Sequence, residues 1–154
     1  MIQRIQSIYI FVASVLTICL FFVPSFHFSV GQGSYDITAC HISPAFSLVP
    51  STVMLPLALV TFFAFLLCLI SIFLFRNRTL QMKVVRINAF LQIVILFTMV
   101  AYVFFMFDKS GQTNIHIDFS MALIFPIVNV ILLAFARKRI KADDDLVKSA
   151  DRLR

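Results

Sequence analysis

The 154-residue chain has no tryptophan, no glutamate, three glycines and three cysteines, and only 13% of its residues are charged. Each shortage excludes something. A soluble domain carries about 25% charged residues, so 13% charged beside 61% apolar excludes an ordinary one. There is no C-x-x-C pair, which excludes outward-facing dithiol redox chemistry. None of the three histidines, His27, His41 and His116, falls in a long apolar run, so axial ligation of a haem between helices is excluded. No ionisable residue lies deep in such a run, whereas most ion and proton pathways contain one. The sequence pI of 9.7 would suggest nucleic acid in a soluble protein. Here the cations flank apolar runs, where topology and anionic lipid account for them, and nucleic acid is not an expected partner. No catalytic or cofactor motif stands out, so the expectation is a non-enzyme with no cofactor and no metal.

What the chain does have is four apolar stretches, about 5–23, 51–75, 84–107 and 118–136. Each is close to the roughly 20 residues that a membrane-crossing helix needs. Twelve of the thirteen basic residues fall on one side of this pattern, and only Lys109 falls on the other. The positive-inside rule then places both termini in the cytoplasm. The expected fold is an all-α membrane protein, a four-transmembrane-helix bundle over residues 1–136, with a basic cytoplasmic tail over 137–154. The first stretch carries Arg4 before an apolar run of about 18 residues and lacks an A-x-A site, so it is expected to be retained rather than cleaved as a signal. A short basic loop joins spans two and three, predicting a helical hairpin. Ser51 after Pro50 is a fitting N-cap for span two. The sequon Asn77-Arg78-Thr79 lies in the cytoplasmic loop and carries no expectation of glycosylation.

The outer loops, 24–50 and 108–117, are patterned. Phe26–Val30 alternates apolar with polar, Gly31-Gln32-Gly33-Ser34 reads as a turn, and Tyr35–Ala39 alternates again. Asn114–Asp118 alternates too. A small extracytoplasmic β-hairpin or sheet capping the bundle is expected, with the third segment giving support that a lone hairpin lacks. The histidines share this side with Asp36, Asp108, Asp118 and Cys40, but without close ligand spacing. Ordinary surface imidazoles are the simpler reading. Cys19 and Cys68 sit within spans as inert small residues, and Cys40 stands alone outside.

Small and polar residues recur at helical spacing in every span. Ser7, Ser14 and Thr17 share one face, as do Thr61, Ala64, Cys68 and Ser71. Asn88 and Gln92 stack one turn apart, and Ala122, Pro126, Asn129 and Ala136 line the last span. In lipid, small residues let helices approach and amides bond across them, so these stripes read as the bundle's seam. The sharper alternative makes Asn88, Gln92 and Asn129 an intramembrane polar path. Nineteen phenylalanines serve packing and lipid contact.

Beyond the last span, Arg137, Lys138, Arg139 and Lys141 are placed to meet anionic lipid. Asp143-Asp144-Asp145 suits a helix N-terminus. Leu146, Val147, Ala150 and Leu153 follow at helical spacing, predicting a short cytoplasmic C-terminal amphipathic helix. With Asp151, Arg152 and Arg154 these residues form the candidate partner-binding face.

The opening Met1-Ile2-Gln3-Arg4-Ile5-Gln6-Ser7-Ile8-Tyr9 and the closing Asp143–Arg154 resemble the termini of a family of small bacterial integral-membrane proteins known only as a domain of unknown function. The resemblance implies four spans and the inner membrane of a two-membrane bacterium. It carries over no activity, substrate or catalytic residue. The expectation is therefore an accessory or structural subunit of an inner-membrane protein complex, docking through the bundle and the tail. The alternative is a small oligomeric transporter or channel. A membrane enzyme using the outer histidines and aspartates ranks third.

Overall fold

The computed structural model describes residues 2–30, 33–40, 42–43, 54–110 and 115–152. Four helices dominate: α1 (Ile2–Cys19), α2 (Leu55–Phe73), α3 (Arg78–Ser110) and α4 (Ile124–Arg152). Between them lie four short strands: β1 (Phe26–Val30), β2 (Gly33–Ile37), β3 (Ile42–Ser43) and β4 (Ile115–Phe119). Each helix packs on its neighbours in sequence, and α1 closes the ring on α4. The residues that meet in the core show the helices to be antiparallel in turn. Leu20, Leu57, Met99 and Ala122 gather at one end; Ile10, Cys68, Val85 and Ile140 gather towards the other.

The strands form one antiparallel sheet in the order β3-β2-β1-β4. The hairpin pairs Val30 with Gly33, so β2 begins two residues earlier than the alternation predicts. Gly33 and Ser34, expected in the turn, are already in the strand. The third segment adds to β1, with Ile117 opposite Phe28. Phe26, Phe28 and Ile37 are buried on one face against the helix ends, which supplies the hydrophobic cover that a free hairpin lacks.

Among the described residues three helices, not four, are long and apolar enough to cross a membrane: Leu55–Phe73, Arg78–Phe105 and Met121–Ser149. The first helix stops at Cys19, short of the expected 23. Its 18 residues reach about 27 Å, at the short end of the roughly 17–25 residues that cross a bilayer, so its length is compatible with a crossing. The cause of the early stop is local. Pro24 disfavours helical backbone at Val23, and the chain there is drawn into the sheet by Ser25 N–H donating to Ile37 C=O at 2.7 Å.

Two further expectations are corrected. Most of the basic loop between spans two and three is helix. After a 3-10 turn over Leu74–Arg76, only Asn77 leaves helical backbone, and α3 starts at Arg78. Asn77 C=O accepts from Gln81 N–H at 2.9 Å, closing the first turn of α3. The tail is not a separate short helix either. α4 runs unbroken for 29 residues through the basic stretch and Asp143–Asp145. Lys, Arg, Ala and Leu are good helix formers and nothing in 137–152 interrupts them. Ser51, His41, the Gly111–Asn114 link, Leu153 and Arg154 lie outside the described residues.

Candidate functional site

The core is layered along the bundle axis. An apolar cluster under the sheet holds Leu20, Leu57, Ala64, Ile95 and Met99. A second, nearer the tail, holds Ile10, Ala13, Val85, Leu133, Ala136 and Ile140. Between them sits a polar layer built by all four helices. Thr17 on α1 is its hub. Its hydroxyl donates to Ala13 C=O at 2.8 Å, and its oxygen accepts from Gln92 Nε2 and Asn129 Nδ2, each at 3.0 Å. One donor and two acceptor positions are all that a hydroxyl has, so this one is fully used. Asn129 Nδ2 also approaches Gln92 Oε1 at 3.4 Å. One turn away, Asn88 Nδ2 donates to Cys68 Sγ at 2.8 Å. Asn88, Gln92 and Asn129 are wholly buried. The structure thus brings Gln92 and Asn129 together on Thr17 and buries Asn88 one turn away against Cys68, all within one chain.

The small-residue stripes lie against this layer. Thr61, Ala64, Cys68 and Ser71 are buried on α2, and Ser14 and Thr17 on α1. Pro126, Asn129 and Ala136 are buried on α4, and Ala122 on the 3-10 turn before it. A second polar group, which sequence reasoning missed, lies past the lower apolar cluster. There Gln81 Nε2 donates to Ser71 C=O at 2.9 Å, and Gln6 is buried on α1. The signal was present: Gln81, Val85, Asn88, Gln92, Ile95 and Met99 follow at steps of three or four, the period of one helix face.

The tail end carries the other feature. Arg78, at the start of α3, meets Asp143 twice: Nη2 forms an ion pair with the carboxylate at 3.0 Å and Nη1 donates to the backbone oxygen at 3.2 Å. The two side chains are 21% and 13% exposed, so this ion pair is partly shielded from water. It fastens the extension of α4 to the α2–α3 corner. Asp144 pairs with Lys148 along the helix. Beside the clasp lies an open cleft of about 630 Å³ lined by Phe75, Asn77, Arg78, Thr79, Leu80, Asp144 and Val147. Of the predicted partner-binding residues, Leu146 is 57% and Val147 42% exposed. Ala150, Asp151 and Arg152 continue the helix. Lys83, Arg86, Arg137, Lys138, Arg139 and Lys141 are exposed around α3 and α4.

At the sheet end His27 pairs with Asp36 across the β1–β2 register. Among the described residues no three of His, Cys, Asp and Glu gather as metal ligands. Cys40 borders an apolar groove with Ile18, Phe21, Phe22, Phe62 and Phe65, and partial burial pushes its thiol pKa up.

A family model described as a domain of unknown function (DUF4293) matches residues 2–153. The chain belongs to the DUF4293 family. The match spans the bundle, the sheet and the tail. No curated protein matches this DUF4293 chain.

Proposed function

We propose that this protein is a non-enzymatic accessory subunit of a larger protein complex in a bacterial inner membrane, with both termini in the cytoplasm. The observation that carries the reading is the unbroken run of α4 past the bundle. From Ile140, the last buried residue among those described, the helix continues to Arg152 and exposes Leu146 and Val147 beside an open cleft. Two bulky apolar side chains on a helix that stands clear of the core are a helix-in-groove type of anchor. The Arg78–Asp143 clasp aims that helix, which lowers the ordering cost of docking. The exposed cations Arg137, Lys138, Arg139 and Lys141 sit where the bundle meets its extension, a position suited to anionic headgroups. The outward faces of the helices, with Phe11, Phe63, Phe90, Phe97 and Phe104 more than half exposed, suit lipid or a neighbouring subunit.

The transporter alternative has less support. Asn88 bonds to Cys68, and Gln92 and Asn129 bond to Thr17, all inside one chain, and apolar clusters lie on both sides of them. An oligomeric channel would put such residues on an outward face.

The test is purification of the tagged protein from its native membrane in mild detergent, with mass spectrometry of what accompanies it. A stoichiometric membrane complex that is lost in Leu146→Asp/Val147→Asp, while the variant still inserts, supports the reading. Recovery of the chain alone, or only as copies of itself, overturns it.

A further inference from the structure

The buried amides share a pattern. In Gln81, Asn88 and Asn129 the nitrogen end is bonded and the oxygen end meets no protein group; the oxygen of Gln6 and the hydroxyl of Ser71 are also buried and unpartnered. The Gln81 orientation is forced by its partner, and the Asn129 orientation follows from the bond that Thr17 already makes. Gln81 faces Ser71 C=O, which can only accept, so its NH₂ must point there and its oxygen must point away. Asn129 faces the Thr17 oxygen, whose proton is already given to Ala13 C=O, so again the NH₂ must point inward and the oxygen is left over. Both side chains are wholly buried. A buried carbonyl oxygen with no donor costs about 1–3 kcal/mol, and few native groups bear that cost.

We infer that the bundle holds internal water in two separate layers, one donating to Asn129 Oδ1 beside Asn88 and one donating to Gln81 Oε1 beside Gln6 and Ser71. The occupant must donate hydrogen bonds or carry positive charge. A cation is disfavoured: no carboxylate is among the described core residues, and Asp143, whose Oδ2 is buried, already faces Arg78. An unpaired charge in such a setting is far more expensive than a neutral donor. Water costs at most about 2 kcal/mol to immobilise and can serve two oxygens at once. The layers are distinct because Ile10, Val85 and Leu133 pack between them. The water is therefore held, and it does not form a file through the protein.

The experiment is water-edited solid-state NMR on the full chain in lipid bilayers, with the side-chain amides of Asn129 and Gln81 labelled. Magnetisation should pass from water to both amides well before it reaches the methyl groups of Ile95 and Met99, which lie in the apolar cluster. In Asn129→Leu, with the Asn88 amide labelled in its place, transfer to Asn88 should fall while transfer to Gln81 persists. Build-up at the wild-type Asn129 and Gln81 amides no faster than at those methyls overturns the inference. So does loss at Gln81 in Asn129→Leu with the bundle still folded, because that outcome means one connected space.

Discussion

Replacing Thr17 by valine keeps the shape of the side chain and removes one oxygen. That oxygen serves three helices: it accepts from Gln92 on α3 and from Asn129 on α4, and it returns its own proton to α1. The change strands Gln92 Nε2 and leaves Asn129 Nδ2 with only its longer approach to Gln92 Oε1 in the middle of the bundle. Interhelical polar contacts in membranes contribute about 0.6 kcal/mol on average and up to about 1.7, so losing two predicts a destabilisation of about 1–3 kcal/mol. The control is Thr98→Val. Thr98 bonds only to Val94 C=O on its own helix and is half-buried, so its loss should fall within about 0.5 kcal/mol of zero. A third variant separates the bond from the shape. In Thr17→Val/Asn129→Leu both partners of one bond become apolar, so the double change should cost less than the sum of the singles. The assay is reversible unfolding in mixed detergent, followed by loss of helical circular dichroism. If Thr17→Val is no more damaging than Thr98→Val, the hub assignment is wrong.

Three further outcomes follow from features at the surface and the ends. Phe97 is 71% exposed on α3; if that face meets lipid, Phe97→Lys should cost about 2.5–3.5 kcal/mol in an insertion assay, whereas a face in water would tolerate it. Arg78→Ala should loosen the tail, costing about 1 kcal/mol for a partly shielded pair and speeding proteolysis after Ala142, with Arg78→Asp/Asp143→Arg restoring protection; equal cleavage in all three proteins would dismiss the clasp. The Cys40 thiol is pushed up by burial, so less thiolate is present at any given pH, and its alkylation should reach half its maximal rate above the ordinary thiol value of about 8.5; a midpoint at or below that value contradicts the burial.

The apolar runs located three long helices and the alternation located the sheet, because both signals repeat over many residues. The ends of the elements were less legible. Hydropathy marks where the surroundings change, not where the backbone stops being helical. The basic residues at 78 and 83 therefore read as loop although they lie on α3, and α4 was divided at its polar boundary. Asp143–Asp145 read as a helix start because acids are favoured there. In the structure Asp143 instead answers Arg78, a partner 65 residues away that no local pattern points to. Asn88, Gln92 and Asn129 were legible as amides in apolar helices. Their hub was not, because Thr17 gains its role only when α1 lies between α2 and α4.

One consequence of the long last helix is mechanical. β4 is joined to α4 through Ser120 and a single 3-10 turn, and Ser120 N–H donates to Ser25 C=O at the base of the sheet. The edge strand and the projecting tail are therefore the two arms of one stiff lever, with the Asn129–Thr17 bond near its fulcrum. A sideways pull on Leu146 is felt as torque on the β1–β4 pairing, at the opposite face of the molecule.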